Sequence, residues 1–202
     1  LLTAAEAAAF EQACVEAGAR LVGGVIACAA LTDREVAGVD RYRVVPPSST
    51  RRGAAAMRMS GWCMGLVPVA LDVAGLGFGQ AARAAQRSFD DHRPLAATPI
   101  ERVLELAAST PGVQPSAPGG VMLSFLDTER RPFSPQFSSD WHARNGRLFM
   151  NTGMAGQVAL WFFRTHHGLS LTVGCPATDV ARAAVARYVE VLRAQCRSAA
   201  RR

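Results

Sequence analysis

The sequence predicts an α+β fold in which a mixed or antiparallel sheet is covered by helices on one face. Three observations carry that prediction. Helical patterns fill the first part of the chain, strands and helices mix through the middle, and a run of strands near the end is closed by one amphipathic helix. With 202 residues, 50% of them hydrophobic, the chain can bury one large core or two small ones. It shows no internal repeat.

Taken in order, Thr3 and Glu6 form a capping box, and a helix should run from there to Gly18, a natural stop. A second helix follows over about Leu21–Val36, ended by Gly38. Gly23 and Gly24 weaken it unless something packs very close to its backbone. Arg41–Val45 is a short strand, and the Pro46-Pro47-Ser48-Ser49 segment is loop. A strand is expected across Met57–Cys63. It leads into Ser60–Asp72, which reads as a buried strand because Leu66, Val67, Val69 and Leu71 leave little polar surface. Pro68 cannot donate to a ladder and belongs at an edge or bulge.

After a glycine-rich bend, a helix spans about Phe78–Asp91. The next begins at Thr98-Pro99-Ile100-Glu101, with Thr98 as its N-cap, and ends near Ala108. Residues 109–120 hold three prolines and three glycines and form an internal loop. Strands are predicted at Val121–Asp127, Arg147–Asn151, Gly156–Thr165 and Leu169–Gly174, joined as a meander, with Asn145-Gly146 as a hairpin signal. The closing helix covers about Thr178–Arg197.

All 22 basic side chains are arginine and the net charge is +6. That balance suits anionic partners. The arginines are scattered, however, and no basic stripe with interleaved aromatics exists, which argues against nucleic acid. Five dispersed cysteines without a CxxC spacing predict reduced, buried thiols and no metal site. Gly75, Gly77 and Gly79 lack the spacing of a dinucleotide-binding loop. No stretch is long and apolar enough to span a bilayer. No signal-peptide pattern opens the chain, and its start at Leu1 rather than Met leads us to expect a fragment of a longer protein.

The candidate site residues are few. Trp62 is expected as a buried indole in core or cavity wall, flanked by Ser60 and Cys63. Ser124 and Asp127 are the polar groups of their strand best placed to face a cleft. A serine hydroxyl there can donate to a developing oxyanion, whereas the plainer reading has Asp127 capping the loop that follows. Ser138, Ser139, Asp140 and His142 invite a hydrolase triad. Adjacent residues of an extended segment point to opposite faces, so His142 fits better as a residue at a cleft mouth. Arg51, Arg52, Arg130 and Arg131 are candidate anion contacts.

Several of these segments, in this order, resemble one family. Gly61-Trp62 running into Val67-Pro68-Val69 is similar to the "GW…P" segment of condensation-type acyltransferases. Ser88-Phe89-Asp90 followed by Pro99–Leu106 resembles their "SFD…PFERVLEL", and Met122–Asp127 resembles "MLSYLD". Gln157–Pro176 and Val180–Leu192 are similar to the closing strands and helix. The nearest likeness is to the mycobacterial polyketide-associated acyltransferases that esterify trehalose-type glycolipids.

The resemblance implies one lobe of a chloramphenicol acetyltransferase-like fold, with residues 1–202 as the C-terminal lobe. It implies transfer of a fatty or polyketide acyl group from a thioester, acyl-coenzyme A or an acyl carrier, to a sugar hydroxyl such as that of trehalose. No cofactor and no metal are implied. In that family an HHxxxDG histidine of the N-terminal lobe activates the hydroxyl. Here the adjacent pair His166-His167 is followed by Leu171 and Thr172 where the pattern needs Asp and Gly, so the pair is read as exposed turn histidines and no catalytic residue is assigned to this chain. Substrate-binding residues are then Ser60, Trp62, Ser124, Asp127 and His142. The expected partner is the N-terminal lobe, and the expected place is the cytoplasm, with peripheral contact at the inner face of the membrane. The alternative is a non-catalytic lobe that binds lipid or serves in assembly.

Overall fold

The computed structural model describes residues 1–113, 122–130, 133–144 and 158–201. Its elements in chain order are β1 (Leu2–Thr3), α1 (Ala4–Glu16), α2 (Leu21–Ala37), β2 (Arg41–Val44), β3 (Pro47–Ser49), α3 (Gly53–Met57), β4 (Met64–Leu66), β5 (Val69–Asp72), α4 (Phe78–His92), a 3₁₀ turn (Arg93–Ala97), α5 (Ile100–Ser109), β6 (Met122–Asp127), α6 (Pro135–Ala143), β7 (Ala159–Thr165), β8 (Gly168–Gly174) and α7 (Asp179–Ala200).

Helix α2 is the centre of the packing. Ten of its residues are buried, from Leu21 to Thr32, including both glycines. A helix apolar around most of its girth must be enclosed, and α1, α4 and α7 pack against it. The glycines explain how closely. A methyl group at Gly24 would lie 2.2 Å from Cys14 Sγ of α1, and one at Gly23 would lie 2.8 Å from Gln86 Oε1 of α4. The buried Gln86 also ties the elements together. Its Oε1 accepts from the Arg20 amide at 2.9 Å and its Nε2 donates to Asp90 at 2.8 Å. The capping box is present: the Thr3 amide donates to Glu6 at 2.8 Å and the Glu6 amide donates to the Thr3 hydroxyl at 3.3 Å.

The main sheet has the order β1-β8-β7-β6. β7 is antiparallel to β8, but β6 runs parallel to β7. The expected meander is therefore corrected, since a parallel pair needs a crossover connection, and α6 lies in the segment between the two strands. β1 closes the far edge by pairing Leu2 with Leu169. Leu123, Leu160, Phe162 and Leu169 are fully buried from this sheet, beside Phe10, Ile26 and Leu192 from the helices.

The middle of the chain departs most from expectation. Ser60–Asp72 is not one strand. Its β4 pairs with β3 and its β5 pairs with β2, in two separate two-stranded sheets. The break falls at Val67 and Pro68, the point that proline's missing donor predicts. Pro47–Ser49, expected as loop, is the partner strand, and Met57–Cys63 is the end of α3 and a turn rather than a strand. Thr98 does not cap α5. Its amide closes the 3₁₀ turn on Leu95 O at 2.9 Å, and Pro99 is the N-cap. The predictions at Arg147–Asn151 and Asn145-Gly146 lie outside the described residues.

The thiols Cys14, Cys28 and Cys196 are buried, and burial pushes Cys14 up to about 12. Cys63 and Cys175 are only half-buried, contrary to expectation.

Gly24→Ala is expected to destabilise the chain by about 1–3 kcal/mol through this contact. Adding Cys14→Ala should restore most of the loss in a urea titration, and an additive double variant would show that the contact is not the cause.

Candidate functional site

Two cavities flank β3, and Pro47 lines both. The larger, about 650 Å³, lies between β3–β4, the 3₁₀ turn with the start of α5, and one face of β6 and β7. Its wall is mainly apolar: Trp62, Met64, Leu66, Ile100, Met122 and Trp161, with Ser124 among them. Its floor is held by a close backbone approach. A methyl group at Gly65 would fall 1.8 Å from Ala96 O, so β4 rests directly on the 3₁₀ turn.

The smaller cavity, about 350 Å³, opens between the start of α2, the end of α4, β3 and the end of β6. Phe89, Phe125, Phe133, Leu21 and Val22 give it apolar sides, while Arg20, Arg93, Asp127 and Arg130 supply charge.

Strand periodicity decides where the predicted pair goes. Ser124 and Asp127 are three apart, an odd separation, so they point to opposite faces of β6. Ser124 faces the larger cavity and Asp127 the smaller. The sheet therefore separates two residues expected to share a cleft. Ser124 is half-buried beside Trp161, its register partner on β7. Its hydroxyl has no hydrogen-bond partner among the described residues. Asp127 is occupied. Its carboxylate accepts from the Glu129 amide at 3.0 Å, as the capping role predicts, and pairs with Arg130 at 3.4 Å. Burial raises the Asp127 carboxyl above its usual range, and the Glu129 amide and Arg130 oppose that shift.

Trp62 lines the larger cavity but is 86% exposed, not buried in a strand. It sits on the turn before β4, where Gly61 has φ 128°, a region L side chains avoid. Arg51 holds this turn by donating to Gly61 O at 2.8 Å and to Met59 O at 3.3 Å. The Arg51 guanidinium thereby anchors the loop. Ser60 lies exposed on the same turn and lines neither cavity.

His142 falls in α6, so the segment expected to be extended is helical, and its side chain lies outside the described residues. On the same helix Asp140 accepts from Gln136 at 2.8 Å. His166 and His167 occupy the β7–β8 turn, as expected, with ring centroids 3.8 Å apart. Arg20 and Arg93 had no sequence signal, being single arginines brought together from the starts and ends of different helices. Among the described residues no group of three metal-ligating side chains is arranged to hold an ion, and no single helix is long and apolar enough to cross a membrane.

No protein-family profile matches the chain. It is 35% identical over 193 residues to the acyltransferase PapA3 of Mycobacterium tuberculosis, an alignment covering 96% of this chain and 40% of that protein. It is 40% identical over 184 residues to the trehalose-2-sulfate acyltransferase PapA2 of the same organism, covering 91% and 39% respectively. Among solved structures, a PapA2 acyl transferase superposes with a TM-score of 0.83 at 37% identity, covering 99% of this chain and 43% of the other. The epimerization domain from tyrocidine synthetase B superposes with a TM-score of 0.70 at 11% identity, a likeness of fold alone. The chain thus spans about two fifths of the length of these relatives.

The raised carboxyls give a signed pH dependence. Asp33, on α2 beside Tyr188 of α7, is raised by burial like Asp127. An acid with a raised folded value binds its proton more tightly folded than unfolded, so stability falls as pH climbs from the ordinary carboxylate range through the raised values. Urea midpoints should drop across that window, and the slope should flatten in Asp33→Asn. An unchanged slope in that variant would remove Asp33 as a source.

Proposed function

On the footing that this chain belongs to the condensation-superfamily acyltransferases represented by the mycobacterial PapA proteins, we propose that it is the C-terminal lobe of an O-acyltransferase. The reaction moves a fatty or polyketide acyl group from a thioester to a sugar hydroxyl, trehalose or a derivative. Its strongest support is the 40% identity to a trehalose-2-sulfate acyltransferase.

The geometry suits half of such a site. An apolar trough walled by Trp62, Met64, Leu66, Ile100, Met122 and Trp161 suits a hydrocarbon chain, which gains about 0.8 kcal/mol per buried methylene. Ser124, which has no hydrogen-bond partner among the described residues, is the polar group that its strand presents to that trough, with Thr50, Thr98 and Glu101 elsewhere on its wall. When the sugar oxygen attacks the thioester carbonyl, negative charge gathers on the carbonyl oxygen and the sulfur leaves as thiolate. A hydroxyl donor at Ser124 stabilises the first charge. The proton of the sugar hydroxyl needs a base, and the HHxxxDG pattern is absent from this sequence. An N-terminal lobe supplies it in this reading. In this proposal the acyl thioester is met in the cytoplasm, and the lipid product enters the inner face of the membrane.

The polypeptide of which this chain is the C-terminal part should transfer a labelled acyl group from acyl-coenzyme A to trehalose or its sulfate, and the 202-residue chain alone should not. Turnover by the 202-residue chain alone overturns the reading. So does a longer polypeptide that binds both substrates without transfer. In the longer protein, Ser124→Ala is expected to lower kcat on the order of 100-fold with KM little changed. Trp62→Ala should instead raise KM for long acyl chains more than for short ones, and equal effects on both would remove Trp62 from the chain-binding wall.

A further inference from the structure

β3 and β4 are joined by a long excursion, residues 50–63, which carries Trp62 to the rim of the larger cavity. Ordinary hairpin connections hold roughly two to five residues, and much longer ones are usually functional. The neck of the excursion is closed by the Thr50 amide, which donates to Cys63 O at 3.0 Å. Beyond the neck nothing is buried: residues 51–63 are half-buried or exposed, and α3 contributes no side chain to the core. A segment with so few buried contacts belongs to the least stable part of a fold. It nevertheless presents Met57, Met59 and Trp62 at its surface.

One side chain fixes its tip. Arg51 reaches across the excursion, and its Nη2 donates to Gly61 O at 2.8 Å and to Met59 O at 3.3 Å, on either side of Ser60. Its own amide donates to Ser49 Oγ at 3.3 Å, which ties the brace to the end of β3. Gly61 O also accepts from the Cys63 amide at 3.1 Å. This carbonyl therefore joins the arginine to the two residues that flank the indole. A charge-assisted donor is roughly twice as strong as a neutral one, and it can hold a turn that has no core behind it. Arg51 itself lines neither cavity, so any influence it has on a ligand passes through Trp62.

We propose that Arg51 is a positioning residue: through Gly61 and Met59 it holds Trp62 as the outer wall of the acyl trough, and so sets how strongly the site favours long acyl chains over short ones. An indole can bury roughly 150–250 Å², and a long chain that reaches the rim gains from that surface where a short one does not. This role rests on the acyltransferase reading for the identity of the ligand. It goes beyond that reading by giving the chain-length preference to a residue outside the trough.

Equilibrium binding of decanoyl-coenzyme A and of butanoyl-coenzyme A to the longer polypeptide, with no sugar acceptor present, gives the preference as a ratio of Kd values. The parent should favour the longer chain about tenfold or more. Arg51→Met keeps an apolar stem without donors and should cut that ratio about threefold or more. Arg51→Lys, which retains a donor for Gly61 O, should keep most of it. In a Trp62→Ala background, Arg51→Met should change the ratio no further, because a positioning residue acts only through what it positions. A parent without preference, a ratio unchanged in Arg51→Met, or an additive loss in the double variant overturns the inference. The tip lies outside the core, so Arg51→Met should unfold at the parent's temperature. A variant that does not fold would make Arg51 structural and overturn the inference too. Binding needs no turnover, so an Arg51-dependent preference in a polypeptide that transfers no acyl group would leave the positioning role standing and the acyltransferase reading fallen. Transfer whose chain-length preference is indifferent to Arg51 would do the reverse.

Discussion

The close approach of α2 to its neighbours constrains the rest of the chain. Two consecutive glycines, each costing a helix roughly 1 kcal/mol relative to alanine, are tolerated because Cys14 and Gln86 occupy the space their side chains would need. That contact sets the distances of α1 and α4 from α2. It therefore also sets where Arg20, Leu21 and Val22 meet Phe89 and Arg93, which are the opposing walls of the smaller cavity. A core contact and a cavity wall are here the two ends of the same helices.

A second close approach governs the other cavity. The β2–β5 and β3–β4 sheets have two strands each, and an isolated pair of that kind is marginal in water. The β3–β4 pair is held because Gly65 lets β4 lie against the backbone of Ala96, and because Val67 donates to Pro46 O at 3.0 Å where the two small sheets meet. A side chain at position 65 would lift β4 away and open the larger cavity. Both cavities thus depend on glycines whose task is contact and not flexibility.

What the sequence made legible follows from how local each signal was. The Thr3–Glu6 box, the stop at Gly38 and the closing helix rest on neighbours in sequence, and all are found, whereas Gly23 and Gly24 announced close packing without naming Gln86 and Cys14 as the partners. The resemblance to acyltransferases was legible for the same reason, being collinear along the chain. Hidden features depend on distant partners. Nothing in Pro47–Ser49 announces a strand until Met64–Leu66 is beside it, and nothing in β6 reveals that its partner runs parallel. Trp62 was misplaced because an indole next to an apolar run looks buried, whereas the turn at Gly61 carries it out of the strand. Arg20 and Arg93 are 73 positions apart, and only the packing of α4 on α2 makes them neighbours.

The same geometry leaves His166 far from Ser124. His92 is taken up by the Ser88 carbonyl at 2.8 Å. His166 lies in the turn after β7, five residues beyond Trp161, the register partner of Ser124. At about 3.3 Å per residue along a strand, that is roughly 16 Å from the free hydroxyl, far outside proton-transfer reach. His92 is therefore engaged and His166 remote, while among the described residues Ser124 in the larger cavity and Arg93 in the smaller have no hydrogen-bond partner. A hydroxyl donor stabilises the charge that a nucleophile raises on a carbonyl oxygen, and a histidine roughly 16 Å away cannot help that nucleophile lose its proton.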